Sequence, residues 1–171
     1  STSAECAEIT EAVGDQELRA STGSPAIERF TGPQIRRFYK TEPEAYASTG
    51  HIHLVSSFMC SLLAGANGAI DPGDGAGMNL MNLAAGDWDK TIVEATAPGL
   101  IEKLPRVSAS GEVVGKLSSY FAKYGLKTGI PVVVWSGDNP CSLIGMGAGS
   151  PGTAVISLGT RACIAVRREW A

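Results

Sequence analysis

The spacing of apolar and polar residues is mainly helical over the first 125 residues. Ser3 is the expected N-cap of the first helix, and Gly14 ends it. Residues 54–64 are apolar on most faces, which predicts a buried helix. A further helix is predicted to start at Gly32-Pro33 and to stop or restart at residues 41–43. Another runs from residues 87–89 to Ala97. The complete set of predicted helices also includes residues 3–13, residues 54–64 up to Gly65, and residues 116–123.

After residue 125 the pattern changes to strand, helix, strand, strand. Residues 131–137, 153–160 and 162–168 are rich in β-branched and other apolar residues, and the last two segments form a predicted hairpin. A hairpin needs neighbouring strands to be stable, yet few strands are predicted before it. Together with a first residue that is not Met, this pattern indicates a fragment or a processed chain.

Residues 65–77 hold five glycines and two aspartates, which predicts a permissive loop. Asp71 and Asp74 resemble a calcium loop, but their spacing does not fit the D-x-[DN]-x-[DN]-G pattern. The sequence also has no phosphate loop of the G-x-x-x-x-G-K type.

Composition narrows the class of protein. The chain has 171 residues, 44% of them hydrophobic and 18% charged, which is enough for one globular domain with a core. A net charge of -3 provides no basic surface, so a nucleic-acid partner is not expected. No apolar run approaches the roughly 20 residues that a membrane span needs, so no membrane association is expected either.

The cysteines and histidines do not form metal-binding patterns. Four cysteines are scattered along the chain, which predicts neither a zinc site nor a disulfide framework and favours a cytoplasmic protein. His51 and His53 lie in a segment that we interpret as a helix start, so their side chains would point in different directions. We therefore expect no shared metal site.

One polar pair follows an apolar run. Residues 132–135 are three valines and a tryptophan, and they lead into Ser136, Gly137, Asp138 and Asn139. In open α/β sheets, ligands bind beyond the carboxyl ends of strands, so Asp138 could take a proton from a substrate hydroxyl. Asn139 can both donate and accept hydrogen bonds to hydroxyls. The alternative is that Asp138 only caps the following helix.

Two further segments could bind oxygen-rich ligands. Gly159 and Thr160 follow a strand and could offer N–H groups and a hydroxyl to phosphate, or could simply form a hairpin turn. Arg29 lies in a loop before Gly32-Pro33 and could bind polar oxygens through its fork of donors, or could be an ordinary surface arginine.

Five blocks in order carry a resemblance to a known family. They are ERFTGPQI, LVSSFMCSLL, DPGDGAGMNLMNL, VVVWSGDNPCSLIGM and AVISLGT. Together they resemble the FGGY family of carbohydrate kinases, in particular its xylulose kinases of the eukaryotic type. The resemblance runs through nearly the whole chain.

This resemblance implies an α/β fold of the ribonuclease-H-like, actin and hexokinase type. It implies that residues 1–137 are the C-terminal part of the N-terminal, sugar-binding domain and that residues 138–171 begin the C-terminal, ATP-binding domain. The implied reaction uses ATP and Mg²⁺ to phosphorylate the 5-hydroxyl of D-xylulose. The implied site residues are Asp138 as the general base, Arg29, Asp138 and Asn139 as sugar-binding residues, and Gly159 and Thr160 as nucleotide-binding residues.

The chain also departs from the family. Arg161-Ala162 follows the SLGT segment where the family usually has Ser and often Asp, and the family's Asp-x-Gly-Thr phosphate loop is missing. We therefore expect the chain alone to be inactive. The alternatives are another FGGY kinase, for ribulose or glycerol, or a catalytically dead binding or scaffold protein derived from a kinase. The oligomeric state stays open.

Overall fold

The computed structural model describes residues 1–148, 150, 153–158 and 162–166. It divides into two compact units, Ser1–Trp135 and Ser136–Ala171. The helices are α1 (Ser3–Val13), α2 (Asp15–Thr22), α3 (Thr31–Thr41), α4 (Pro43–Ser48), α5 (Val55–Ala64), α6 (Pro72–Gly75), α7 (Lys90–Thr96) and α8 (Asp138–Gly145), with 3₁₀ turns at Ala76–Met78, Leu100–Glu102 and Ser119–Tyr124. The strands are β1 (Met81–Asn82), β2 (Asp87–Trp88), β3 (Val113–Lys116), β4 (Pro131–Val133), β5 (Ala154–Leu158) and β6 (Ala162–Val166).

Local stop signals account for several helix boundaries that the sequence predicts. α1 spans residues 3–13 as predicted, although its N-cap is Thr2 rather than Ser3. The Thr2 side chain makes no capping bond, because its hydroxyl donates to the carbonyl oxygen of Glu28. α5 ends at Gly65, which has a left-handed φ of 69°. The predicted break between residues 41 and 43 is also confirmed, since α3 ends and α4 begins there.

Most of the first unit surrounds one large hydrophobic cluster. α1, α3 and α7 contribute Ile9, Ile35, Ile92 and Val93, all at most 5% exposed. Buried residues of the other elements complete the cluster: Leu18, Tyr46, Ile70, Met78, Leu80, Ala97, Leu100 and Leu104. This cluster holds the N-terminal helices and the segment around Met78 together.

A second, smaller cluster lies between α5 and the antiparallel β3–β4 sheet. Cys60 of α5 is fully buried and packs with Leu117 and Val132. Gly115 of β3 permits the close approach, because a Cβ there would lie 3.2 Å from the Cβ of Ala64. One face of the sheet is therefore covered by α5.

One prediction in this unit is partly wrong and two are wrong. The predicted helix 116–123 is present only as a 3₁₀ helix at Ser119–Tyr124, because Lys116 ends β3 and pairs with Pro131. α5 is not buried on most faces, since Val55 is 80% exposed and Phe58 is 54% exposed. His51 and His53 precede α5 instead of starting it.

Two other predictions need adjustment. The predicted loop 65–77 contains the short helix α6, whose N-cap Asp71 accepts from the backbone N–H of Asp74 at 2.8 Å. The predicted strand 131–137 is a regular strand only at Pro131–Val133. The N–H of Val134 still donates to the carbonyl oxygen of Glu112 at 2.8 Å, and residues 135–137 continue without regular structure.

The second unit contains α8 and a β-hairpin. β5 and β6 are antiparallel, with Ala154 opposite Val166 and Leu158 opposite Ala162. The predicted hairpin is thus confirmed over these residues. The remaining parts of its predicted strands, residues 159–160 and 167–168, lie outside the described residues.

Candidate functional site

The junction that follows β4 places a carboxylate at the start of α8. Gly137 is the N-cap, with an extended backbone at φ −73° and ψ 161°, and Asp138 is the first helical residue. Asp138 therefore does not occupy the capping position. The alternative interpretation of Asp138 as an N-cap is wrong for this structure.

Asp138 and Asn139 are both exposed side chains in the first turn of α8. They are adjacent in the chain, so one helix end presents a carboxylate and an amide together. The N-terminus of a helix also carries partial positive charge from its free N–H groups, which favours nearby anionic groups. This helix end can accept a proton and can donate hydrogen bonds to hydroxyl groups.

Arg29 lies in a turn just before α3. The turn is closed by a 2.9 Å hydrogen bond from the N–H of Phe30 to the carbonyl oxygen of Ile27. The Arg29 side chain is exposed, and its guanidinium carbon is 5.7 Å from the centroid of the Phe30 ring. A guanidinium held over an aromatic ring keeps its fork of donors available for a ligand.

Two side chains fix the backbone beside Arg29. The carbonyl oxygen of Glu28 accepts a 2.7 Å hydrogen bond from the Thr2 hydroxyl and a 2.6 Å hydrogen bond from the Gln34 amide. Thr2 precedes α1 and Gln34 belongs to α3, so two helices hold this carbonyl. The turn is thereby positioned by elements far apart in the chain.

The segment around Asn79 also holds the turn before α3 in place. Asn79 is only 3% exposed and has a left-handed φ of 60°. Its amide donates to the Thr22 hydroxyl at 2.7 Å. Next to it, a Cβ at Gly32 would lie 3.3 Å from the carbonyl oxygen of Met78, so this segment packs directly on the start of α3.

Sequence reasoning missed the supporting role of Asn79 and Thr22. The available signal was an asparagine within a glycine-rich loop, because Asn is one of the few residues that tolerate the left-handed conformation. Its partner could not be found from local sequence, since Thr22 is 57 positions away.

The predicted site residues fall in different parts of the structure. Arg29 belongs to the first unit, and Asp138 and Asn139 belong to the second. Gly159, Thr160 and Arg161 lie outside the described residues. Within the described part of the chain, no three His, Cys, Asp or Glu side chains are grouped to hold a metal ion, and no helix has the length and apolar character needed to cross a bilayer.

Comparison with known proteins assigns the family. A model of the N-terminal domain of the FGGY family of carbohydrate kinases matches residues 1–145. The chain belongs to the FGGY family of carbohydrate kinases. The resemblance seen in the five sequence blocks is thus confirmed.

The chain is similar to curated proteins named xylulose kinase. Xylulose kinase 2 of Arabidopsis thaliana is 51% identical over 162 residues, which is 94% of this chain and 29% of the relative. Xylulose kinase of Rattus norvegicus is 46% identical over 162 residues, which is 94% of this chain and 30% of the relative. The chain therefore spans about three-tenths of the length of these curated relatives.

Solved FGGY structures share the fold. A structure described as a xyloylose kinase from Brucella ovis has a TM-score of 0.82 at 27% identity and covers 94% of this chain and 33% of its own. A xylulose kinase from Rhodospirillum rubrum has a TM-score of 0.86 at 22% identity and covers 97% of this chain and 34% of its own. The predicted α/β fold of the ribonuclease-H-like type is confirmed, as a part of the whole fold.

The predicted domain boundary at 137/138 remains a prediction. The N-terminal family model extends to residue 145, whereas the compact units divide between Trp135 and Ser136. These two boundaries bracket the predicted position.

Proposed function

We propose that this chain is part of an ATP-dependent xylulose kinase that transfers the γ-phosphate of MgATP to the 5-hydroxyl of D-xylulose. Membership of the FGGY family supports a carbohydrate kinase. The names of the relatives at 51% and 46% identity support xylulose as the sugar.

Asp138 is the proposed general base. The observation that carries this assignment is an exposed carboxylate at the first residue of α8 that is not used as a helix cap. In the proposed step, an Asp138 oxygen accepts the proton of the sugar hydroxyl while the hydroxyl oxygen attacks the γ-phosphorus. The bond from phosphorus to the ADP oxygen breaks, and ADP leaves. Such reactions depend mainly on positioning and charge stabilisation, and the carboxylate provides the first of these for the nucleophile.

Arg29 and Asn139 are the proposed sugar-binding residues, together with Asp138. Xylulose is a neutral polyol, so its hydroxyls can be held by a guanidinium, a carboxylate and an amide through hydrogen bonds. The fixed carbonyl of Glu28 and the ring of Phe30 limit the movement of Arg29. Gly159 and Thr160 are the proposed phosphate-binding residues, and Mg²⁺ enters as part of the MgATP substrate.

A chimera of full kinase length tests the assignment. In it, this chain replaces the matching 162-residue segment of the Arabidopsis thaliana relative. Asp138→Asn keeps the side-chain shape but removes the basic oxygen, so kcat should fall by about 10²–10⁴-fold. The affinity for D-xylulose should change much less, because Asn still accepts hydrogen bonds from hydroxyls. The measurements are kcat and the sugar affinity of the parent chimera and the variant.

Arg29→Ala and Asn139→Ala are the matched comparisons. Both should mainly weaken D-xylulose binding, since neither residue takes the proton. A near-normal kcat for Asp138→Asn would remove Asp138 from the catalytic step. A folded chimera with no activity on D-xylulose would contradict the proposed substrate.

A further inference from the structure

The two histidines of the chain lie side by side in the first unit. His51 and His53 belong to the irregular segment that precedes α5, and the centroids of their imidazole rings are 6.2 Å apart. Both rings border one cavity of about 260 Å³, whose other lining residues are Leu54, Val55 and Phe58. The two side chains therefore point to the same side of the chain, which the expected helix start would not allow.

Ile52, between the two histidines, holds this segment in place. Its N–H donates to the carbonyl oxygen of Lys103 at 2.8 Å, and its side chain packs against the large hydrophobic cluster. The Lys103 ammonium in turn donates to the carbonyl oxygen of Thr49 at 2.6 Å. The backbone that carries both rings is thus fixed before any ligand binds, which lowers the entropic cost of binding.

Ser57 determines which nitrogen of the His53 ring is free. The Ser57 hydroxyl donates to the carbonyl oxygen of Leu54 at 3.2 Å, so its oxygen accepts from the Nδ1–H of His53 at 3.1 Å. The other ring nitrogen, Nε2, then carries a free lone pair in the neutral imidazole. Histidines that bind metal ions have this arrangement, with one ring N–H donated to a neighbouring group.

Asn67 contacts the His51 ring in a comparable way. Its side-chain amide nitrogen lies 2.8 Å from Nε2 of His51. A half-turn of the amide places its oxygen there instead, where it accepts from Nε2–H and leaves the lone pair of Nδ1 free. Each imidazole can thus offer one nitrogen to a ligand while a neighbouring polar side chain holds the other.

The separation of the rings suits one shared ion. A metal bound about 2.0–2.1 Å from a ring nitrogen lies roughly 3.2 Å from the ring centroid, so two ligating rings have centroids at most roughly 6.4 Å apart. The observed 6.2 Å is within this limit, and rotation of the exposed His51 ring brings the pair closer. The cavity also has room for water molecules on the ion, since each occupies about 30 Å³.

We propose that His51 and His53 form an exchangeable binding site for a divalent transition-metal ion of the nickel, copper and zinc group. Imidazole nitrogen is a preferred ligand of these ions. Because only two side chains coordinate, water completes the coordination shell and binding is weaker than at sites with three or four protein ligands. This agrees with the absence of a three-ligand group among the described residues. The inference does not depend on the proposed reaction.

Titration with Ni²⁺ alone tests the site. Isothermal titration calorimetry compares the affinity of the 171-residue chain with that of His51→Ala and His53→Ala, after circular dichroism has shown that each variant is folded. Each substitution should weaken binding at least about tenfold, since loss of an outer partner alone typically costs about 10–100-fold. Asn67→Ala should weaken binding less than either of them.

Two controls separate this site from binding to thiols. Cys141 is exposed and free, so Cys141→Ser should leave the Ni²⁺ affinity unchanged if the histidines are the ligands. The chain has only two histidines, so proton NMR signals of their rings are assigned from the two histidine variants. Paramagnetic Ni²⁺ should broaden both ring signals of the parent chain at the same metal concentration.

An affinity that is unchanged in both histidine variants would overturn the inference. So would an effect in only one of the two variants, because a single histidine would then bind without its neighbour. Binding that is lost in Cys141→Ser would assign the ion to a thiol. A parent chain that binds Ni²⁺ no more tightly than the double variant His51→Ala/His53→Ala would likewise exclude a shared site.

Discussion

Asn79 provides a sharp test of how the turn before α3 is supported. Asn79→Ala removes two contributions to the stability of the fold at once. An alanine at φ 60° costs about 1–2 kcal/mol relative to the right-handed conformation, and asparagine tolerates this region better. Loss of the 2.7 Å hydrogen bond to Thr22 costs about 0.5–1.5 kcal/mol more. The free energy of unfolding should therefore fall by about 1.5–3.5 kcal/mol.

Asn79→Gly separates the two contributions. Glycine adopts a positive φ without a steric cost, so this variant loses the hydrogen bond but not the backbone conformation. It should be destabilised by about 1 kcal/mol less than Asn79→Ala. Thermal and urea unfolding of the parent chain and both variants, followed by circular dichroism, provide the values. For a chain of this size, a loss of about 1.5–3.5 kcal/mol corresponds to a melting temperature lower by roughly 3–14 °C.

The result that refutes this reasoning is a specific order of stabilities. If Asn79→Ala is as stable as Asn79→Gly, the left-handed backbone does not limit the choice of residue at this position. If both variants match the parent chain, the bond to Thr22 contributes nothing measurable. Thr22→Val tests the same bond from its other side and should lower stability in the same direction.

Two further predictions concern pH and turnover. Burial raises the pKa of Asp89, but hydrogen bonds from Ser21 and from the N–H groups of Ile92 and Thr91 outweigh it and hold the pKa below its ordinary value. The ionised Asp89 carboxylate therefore stabilises the fold fully above about pH 4, and this stabilisation is lost as pH falls through the folded pKa. In Asp89→Asn, the free energy of unfolding should fall less steeply between about pH 5 and pH 3 than in the parent chain. The same dependence of the unfolding free energy on pH in the variant and the parent chain would contradict this prediction. The isolated chain should show no turnover with D-xylulose and MgATP in a coupled assay, because it spans only 29% of the Arabidopsis thaliana relative; clear activity in a pure sample would disprove this.

Local signals made much of the fold predictable. Gly14 and Gly65 end helices because each adopts a positive φ that other residues avoid, and a proline restarts the chain at α4. The predicted helix 116–123 was wrong at its start, where long-range pairing overrides the local pattern. Leu117 and Phe121 are spaced as on a helix, but Lys116 is fixed by pairing with Pro131, which local sequence does not reveal.

In the candidate site, too, local features could be predicted from the sequence and long-range contacts could not. The place of Asp138 between a strand and a helix follows from neighbouring residues, and the structure has this order. The role of Asp138 in proton transfer comes from the family resemblance and stays a prediction. The support of the Arg29 turn by Thr2 and Gln34 depends on three-dimensional packing, so periodicity could not predict it.

The rate at which the buried thiol of Cys60 reacts can report how often α5 separates from the β3–β4 sheet. Its sulfur donates to the carbonyl oxygen of Val133 at 3.4 Å, and burial raises its pKa, so the reactive thiolate is scarce while the layer is closed. Cys141 on α8 is exposed and free, so a reagent reaches it without any opening. The delay between modification of Cys141 and of Cys60 therefore measures how often α5 separates from the sheet. Both cysteines belong to the native sequence, so this measurement needs no added label.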